Sequence, residues 1–152
     1  MQIPSVRQPS NERVLHHFRL RAAEDDRAPH SDGSDYLGAG THPDVVTQLW
    51  RTLGATLPPE SRRVVCGTPA LLNPSTRVLI AVAIGTQYAI RIPRSILAAG
   101  ASREWRTRTV FADTGELDVR EAFGDDWVLG EYAVDEPAWC RQSFDENAAA
   151  PL

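Results

Sequence analysis

The chain has 152 residues, of which 42% are hydrophobic and 24% are charged, and its formal net charge is −4 at pH 7. These values are typical of one globular domain with its own hydrophobic core, and the longest uncharged run, at 78–90, is too short to cross a bilayer. All 16 basic residues are arginines, which excludes the enzyme classes that need a catalytic or phosphate-binding lysine.

The N-terminal residues lack the apolar segment of a secretory signal peptide, and the two cysteines lie far apart, at Cys66 and Cys140. Two cysteines in such a chain are expected to stay reduced. The sequence therefore predicts a cytoplasmic protein with no membrane segment. No internal repeat or linker divides it, so a single globular domain is predicted at 13–144, between a flexible arm at 1–12 and a frayed tail at 145–152.

The first elements in chain order are a predicted edge strand at 14–21, a long mobile loop at 22–40 and a helix at 41–53. The helix is predicted from its Thr-His-Pro-Asp start, with Thr41 as the N-cap, and from an apolar stripe that ends at Gly54. The stripe has the spacing of one helix face and consists of Val45, Val46, Leu49, Trp50 and Leu53.

The centre of the chain contains short apolar runs separated by turn residues, which predicts strands joined by tight connections. Short strands at 64–66 and 71–72 precede a hairpin at 77–92. The elements predicted after the hairpin are a helix at 93–99, a strand at 105–111, a helix at 117–123, a strand at 127–132 and a helix at 135–144. Connections too short for crossovers favour antiparallel pairing. The predicted fold class is α+β, a single domain with a mainly antiparallel sheet and helices packed on one face.

Few residues have a spacing typical of a catalytic or metal site. The four histidines lie within the first 42 residues, without the short ligand spacing that zinc sites use. Cys66 falls in an apolar strand, where a thiol packs as a small hydrophobe. The carboxylates after residue 112 match no calcium-binding loop, and the glycines at 38–40 lack the rest of a phosphate-binding motif. We therefore expect no metal, no cofactor and no catalytic residue, which argues against an enzyme.

The charges are segregated along the chain. Residues 1–112 hold 14 arginines and nine acids, whereas residues 113–152 hold 11 acids and two arginines. Such an acidic segment attracts a basic partner and repels nucleic acid. Its aromatic residues suit the centre of a protein interface, although they serve equally well in a core. The predicted partner-binding residues are Asp118, Glu121, Asp125, Asp126, Trp127, Glu131 and Tyr132.

These patterns favour a non-enzymatic protein-binding module, such as a small bacterial inhibitor or immunity-type protein. Its acidic C-terminal surface would cover a basic protein partner, for example a nuclease toxin. The alternative is a small enzyme or ligand-binding domain with its site at the 22–43 loop and the 77–92 hairpin. A structural or assembly subunit is a third hypothesis that the sequence leaves open.

Overall fold

The computed structural model describes residues 5–19, 26–29, 36, 41–98, 106–108 and 116–148. Within them the helices are α1 (Glu12–Arg19), α2 (Pro43–Thr47), α3 (Arg94–Ala98), α4 (Val119–Phe123) and α5 (Glu136–Glu146). Helix α2 continues as a π-helix at Gln48–Leu53, and single 3₁₀ turns occur at Pro9–Asn11 and Pro59–Ser61. The strands are β1 (Arg62–Val65), β2 (Thr68–Leu72), β3 (Leu79–Ile84), β4 (Gln87–Arg91), β5 (Arg106–Arg108), β6 (Glu116–Asp118) and β7 (Trp127–Leu129).

Five strands form one antiparallel sheet in the order β1-β2-β3-β4-β7, and β5 pairs with β6 as a separate ribbon. Two-residue turns close the β1–β2 and β3–β4 hairpins, whereas residues 73–78 join β2 to β3. Cys66 and Gly67, which join β1 to β2, have φ values of 52° and 78°, and Gly85, between β3 and β4, has a φ of 62°. Positive φ at these positions matches the right-handed twist of the flanking strands. The predicted α+β fold with an antiparallel sheet is confirmed, and so is the hairpin at 77–92.

Both faces of the sheet are buried, and helices cover each of them. On the first face, sheet residues pack against α2, its π-helical continuation and α5. The large members of this first core cluster include Leu49, Trp50, Leu53, Leu71, Ile80, Tyr88 and Ile90. On the second face, sheet residues pack against α1 and α4. The large members of this second core cluster include Val14, Leu15, Phe18, Leu72, Phe123 and Trp127. The sequence predicted helices on one face of the sheet. Every residue of the apolar strand β3 is buried, because helices cover both faces.

The segment predicted as an edge strand is helix α1, so that prediction was wrong. Val14, Leu15 and Phe18 have the i, i+1, i+4 spacing of one helix face, and all three are buried in the second core cluster. His16 is exposed and His17 is half-buried, so this polar pair interrupts the apolar stripe without changing its helical period.

The described part of the predicted N-terminal arm, residues 5–12, packs against the connection between β2 and β3. Val6 and Asn11 are buried there. The Asn11 Nδ2 group donates to the carbonyl oxygens of Val6 at 2.9 Å and Arg77 at 2.8 Å. A polar side chain thus fixes this segment to residues far away in the sequence.

Helix α2 begins close to the predicted position, but its N-cap is His42 instead of Thr41. Pro43 occupies the first helical position, and the Nδ1 atom of His42 accepts a hydrogen bond from the Asp44 N–H at 3.1 Å. At the other end of the chain, α5 continues through Glu146, into the segment predicted as a tail. Among the described residues, no helix combines the length and hydropathy that a bilayer crossing requires.

Two predicted segments are described only in part. Arg106–Arg108 of the strand predicted at 105–111 form β5, and the other residues of that segment lie outside the described residues. The loop predicted at 22–40 also lies mostly outside it. In the described part of that loop, Arg27 forms an antiparallel bridge with Val64 at the free edge of β1, with N···O distances of 2.9 and 2.8 Å.

Candidate functional site

The predicted partner-binding residues lie at the two ends of β7. Four carboxylates precede the strand, around α4, namely Asp118, Glu121, Asp125 and Asp126; Glu131 and Tyr132 follow it. At about 3.3 Å per residue, the five steps from Asp126 to Glu131 span about 16 Å, so these side chains form two surfaces. Trp127 lies between them with an exposed fraction of 0%. Contrary to the prediction, it offers no surface to a partner, because its ring packs in the second core cluster.

Around α4, the carboxylates already have roles within the chain. Asp118 caps the helix by accepting the Glu121 N–H at 3.1 Å. Asp125 forms an ion pair with Arg120 at 3.1 Å. The guanidinium of Arg13 donates to the backbone carbonyl of Glu121. This surface therefore has an acidic field, but part of its charge is balanced by neighbouring arginines.

Asp126 balances the charge of a buried arginine. The Arg91 guanidinium donates to the Asp126 carboxylate at 2.9 Å, to the Leu79 carbonyl at 2.7 Å and to the Ser10 carbonyl at 2.9 Å. It also lies 4.8 Å from the centre of the Trp127 ring. Burial lowers the pKa of Arg91, and the Asp126 carboxylate opposes that shift. Asp126 therefore has a structural role that the sequence did not predict.

At the opposite end of β7, a buried carboxylate fixes the start of α5. Glu136 has an exposed fraction of 0%. Its Oε1 accepts the hydroxyl proton of Tyr88, and its Oε2 accepts the Glu131 N–H at 2.8 Å. The Tyr88 oxygen in turn accepts the Tyr132 N–H at 2.8 Å and, at 3.5 Å, the side-chain amide of Gln48. Burial and the adjacent Glu136 carboxylate raise the pKa of Tyr88, so its hydroxyl remains a proton donor.

The Tyr88–Glu136 pair holds the 130–135 loop in an unusual conformation. Tyr132 has a φ of 57°, a left-handed value that costs a bulky residue about 1–3 kcal/mol. Its ring meets the Tyr88 ring edge-on, with centroids 5.2 Å apart, yet 54% of the residue is exposed. Val134 is 95% exposed. A Cβ at Gly130 would lie 1.9 Å from the Tyr88 ring, so only glycine permits this contact.

Exposed carboxylates flank the two apolar side chains in the loop. Glu131 and Asp135 lie on the same loop, and Asp44, whose side chain is 89% exposed, comes from α2. Asp44 stands one helical turn before Gln48, whose side-chain amide donates to the Tyr88 oxygen that also accepts the Tyr132 N–H. Burial raises the pKa of Tyr132, and the carboxylates of Asp44 and Glu136 raise it further. We define the Tyr132 surface as Tyr132, Val134, Asp44, Glu131 and Asp135.

The two segments of the alternative site meet beside this surface. The His42 N–H, at the end of the 22–43 loop, donates to the Gly85 carbonyl in the 77–92 hairpin at 3.1 Å. The hairpin contributes the Tyr88 hydroxyl there, but Tyr88 is fully buried. Most of the 22–43 loop lies outside the described residues.

The other reactive groups that the structure describes are dispersed or buried. No group of three histidine, cysteine or acidic side chains is close enough to hold a metal ion in the described part of the chain. Both cysteines are buried, and neither forms a disulfide. Burial, together with Glu136, raises the pKa of the Cys140 thiol, which keeps it protonated. An open cavity of about 260 Å³ lies on the N-terminal segment and is lined by Arg7, Gln8, Pro9, Glu12 and Leu15. Its lining contains no nucleophile.

No protein-family model, no curated protein and no solved structure matches this chain. The geometry and the charges of the described residues are therefore the basis of the functional inference.

The sequence predicted Glu131 and Tyr132 as partner-binding residues but did not indicate the residues that position them. Tyr88 is separated from Glu136 by 48 positions, and nothing in the sequence pairs them. Glu136 stands in the first turn of a predicted helix, where an acid is ordinary and exposed. The glycine at 130 was the one available signal, because a glycine at the end of a strand often marks a close approach of another group.

Proposed function

We propose that this protein is a non-enzymatic protein-binding module of the inhibitor or immunity type, and that it covers a basic site on a protein partner. The observation that carries the proposal is the strained, exposed Tyr132 loop, which a fully buried carboxylate holds in place. A buried ionisable group and a left-handed tyrosine both cost free energy. A loop that served only to connect β7 to α5 would need neither of them.

The composition of the Tyr132 surface supports a protein partner. Interface centres are rich in aromatic side chains and their rims are polar, and tyrosine is among the residues that contribute most binding energy. Here Tyr132 and Val134 form the centre, and Asp44, Glu131 and Asp135 form the rim. A fixed loop also loses little conformational entropy on binding. The acidic rim favours a basic partner.

The carboxylates around α4 supply the second part of the proposed mechanism. Glu121 and Asp125 are exposed and lie at the α4 end of β7, where Asp126 is separated from Glu131 by about 16 Å along the strand. Charges at that distance are screened at physiological salt, where the Debye length is about 8 Å. We therefore assign them to steering of the partner before contact, an effect on the association rate. Both cysteines are buried and neither forms a disulfide, which is consistent with action in the cytoplasm.

The test uses the full chain and two matched variants. Immobilised wild type, the double variant Tyr132→Ala/Val134→Ala and the double variant Glu121→Gln/Asp125→Asn are incubated with extract of the source cell. The proposal expects wild type to retain a basic protein. The loop variant should bind that purified protein about 30-fold more weakly or worse, the loss typical of one strong contact residue.

The second variant separates steering from contact. Neutralising the α4 carboxylates should slow association at low salt and leave the dissociation rate unchanged. Asp126 is left intact because it balances Arg91. Retention of the same partner with equal affinity by all three proteins would contradict the proposal.

A further inference from the structure

We infer that Glu136 is a positioning residue for the Tyr132 surface and that its ionisation controls that surface. The 130–135 loop keeps its conformation while Glu136 is ionised and opens when Glu136 takes up a proton. This inference rests on the proposed function and names the regulation of the same site. It follows from the direction of the hydrogen bonds at the buried carboxylate and from the strain of the loop that they hold.

Two chains of hydrogen bonds run from the loop to the Glu136 carboxylate. In the first, the Tyr132 N–H donates to the Tyr88 oxygen at 2.8 Å, and the Tyr88 hydroxyl donates to Oε1 of Glu136. In the second, the Glu131 N–H donates directly to Oε2 at 2.8 Å. Both carboxylate oxygens are therefore acceptors, and the carboxylate is the end point of both chains.

The ionised form of a carboxyl group suits this arrangement, and the protonated form does not. An ionised carboxylate has two acceptor oxygens, whereas a carboxylic acid is a donor at one of them. Hydrogen bonds to an ionised acceptor are about twice as strong as those between neutral groups. Protonation of Glu136 therefore weakens both chains, because one oxygen becomes a poorer acceptor and the other loses the charge that strengthens its bond.

The loop depends on these bonds because its backbone is strained. Tyr132 has a φ of 57°, and a bulky residue keeps such a left-handed conformation only where its surroundings impose it. The Tyr132 residue is 54% exposed and Val134 is 95% exposed, so burial of these side chains contributes little to holding the loop. When the bonds to Glu136 weaken, relaxation of the Tyr132 backbone favours the open loop.

Glu136 is the member of the buried pair that changes its charge in acid. Burial and Glu136 raise the pKa of Tyr88, on β4, and of Cys140, on α5, so both groups stay protonated. Strand β3, which also packs against α5, has only apolar residues, and the π-helix has one charged residue, the exposed Arg51. The Tyr132 surface adds the exposed carboxylates of Asp44, Glu131 and Asp135.

The experiment is an NMR titration of the full-length protein between about pH 7.5 and about pH 4. The ¹³Cδ resonance of Glu136 reports its protonation, and hydrogen exchange of the Glu131 and Tyr132 amides reports opening of the loop. Comparison with the amides of β3 and β4 removes the intrinsic pH dependence of exchange. We expect the protection of the two loop amides to fall about tenfold relative to the strands, with the same midpoint as the ¹³Cδ titration.

Matched variants assign the response to Glu136. Glu136→Gln keeps the shape of the side chain but does not ionise, so the loop amides should be weakly protected at every pH. Glu131→Gln and Asp44→Asn should keep the wild-type response, because neither side chain belongs to the two chains of hydrogen bonds. If Glu136→Gln does not fold, the comparison of midpoints in the wild type decides alone.

Three results would overturn the inference. One is a ¹³Cδ titration that leaves the relative protection of the loop amides unchanged, the second is the wild-type pH response in Glu136→Gln, and the third is protonation of Glu136 only when the whole chain unfolds. The titration needs no partner. Capture of a basic protein at neutral pH without a loop response would therefore keep the proposed function and remove its regulation, whereas a loop response without any captured protein would contradict the proposed function.

Discussion

Replacing Tyr88 by phenylalanine tests whether the buried pair holds the 130–135 loop. The substitution removes one hydroxyl group and leaves a ring of the same size, so it creates almost no cavity. It deprives the Oε1 atom of the buried Glu136 carboxylate of the Tyr88 donor and the Tyr132 N–H of its acceptor, whereas the Glu131 N–H still donates to Oε2. A hydrogen bond to a charged group contributes about 1.5–3 kcal/mol, and a neutral one about 0.5–1.5 kcal/mol. We therefore expect Tyr88→Phe to lower the free energy of unfolding by about 2–4 kcal/mol.

The assay is equilibrium unfolding in urea, followed by tryptophan fluorescence, with Tyr132→Phe as the matched control. The control removes the same hydroxyl group from an exposed position and should cost less than about 0.5 kcal/mol. Hydrogen exchange of the Glu131 and Tyr132 amides supplies a local readout, since both protons bond to the buried pair. Their protection should fall more than that of the sheet amides. A loss for Tyr88→Phe no larger than that of the control would refute the reasoning.

Three further predictions concern packing and pH. Gly130→Ala puts a methyl group 1.9 Å from the Tyr88 ring and should lower the free energy of unfolding in urea by about 3 kcal/mol. The same substitution should lower it less in a Tyr88→Ala background. Trp50→Ala removes a side chain that is 3% exposed and should cost about 3–5 kcal/mol; a loss below about 1 kcal/mol would mean that its helix lies outside the core. The raised pKa values of Cys140 and Tyr88 stabilise the fold fully below their ordinary values of 9.0 and 10.0. That contribution is lost as pH rises through the folded values, so a pH series of urea unfolding should show stability falling above about pH 9, with a shallower fall in Cys140→Ala.

Local patterns predicted the elements that depend on a single period. The stripe from Val45 to Leu53 faces the core as a helix, and the turn at Gly85 closes the predicted hairpin. In both cases the residues that decide the structure are neighbours in the sequence. The same reasoning failed at α1, because a short segment with two histidines fits an alternating pattern and a helical one about equally well. Burial of Val14, Leu15 and Phe18 against α4 decides between them, and that contact is non-local.

The candidate site was only half predictable for a related reason. The sequence indicated Glu131 and Tyr132 from the density of acids and aromatic residues, but the same argument also selected Trp127, which is in the core. Aromatic residues among acids look alike in a sequence whether they face solvent or the sheet. Alternation of polar and apolar residues along β7 cannot distinguish the two cases either. Both faces of the sheet are covered, and every residue of the strand is buried.

The charge count of a segment also differs from the charge that a partner meets. Of the predicted acids, Asp126 balances Arg91, Asp118 caps α4 and Asp125 pairs with Arg120. Their field persists at a distance, but their hydrogen-bonding capacity is partly used. Asp44, which lies outside the acidic segment of the sequence, has no arginine within 4 Å among the residues described. Under the proposed function, long-range attraction and close contact belong to different carboxylates, and substitutions at the two ends of β7 should change different rate constants.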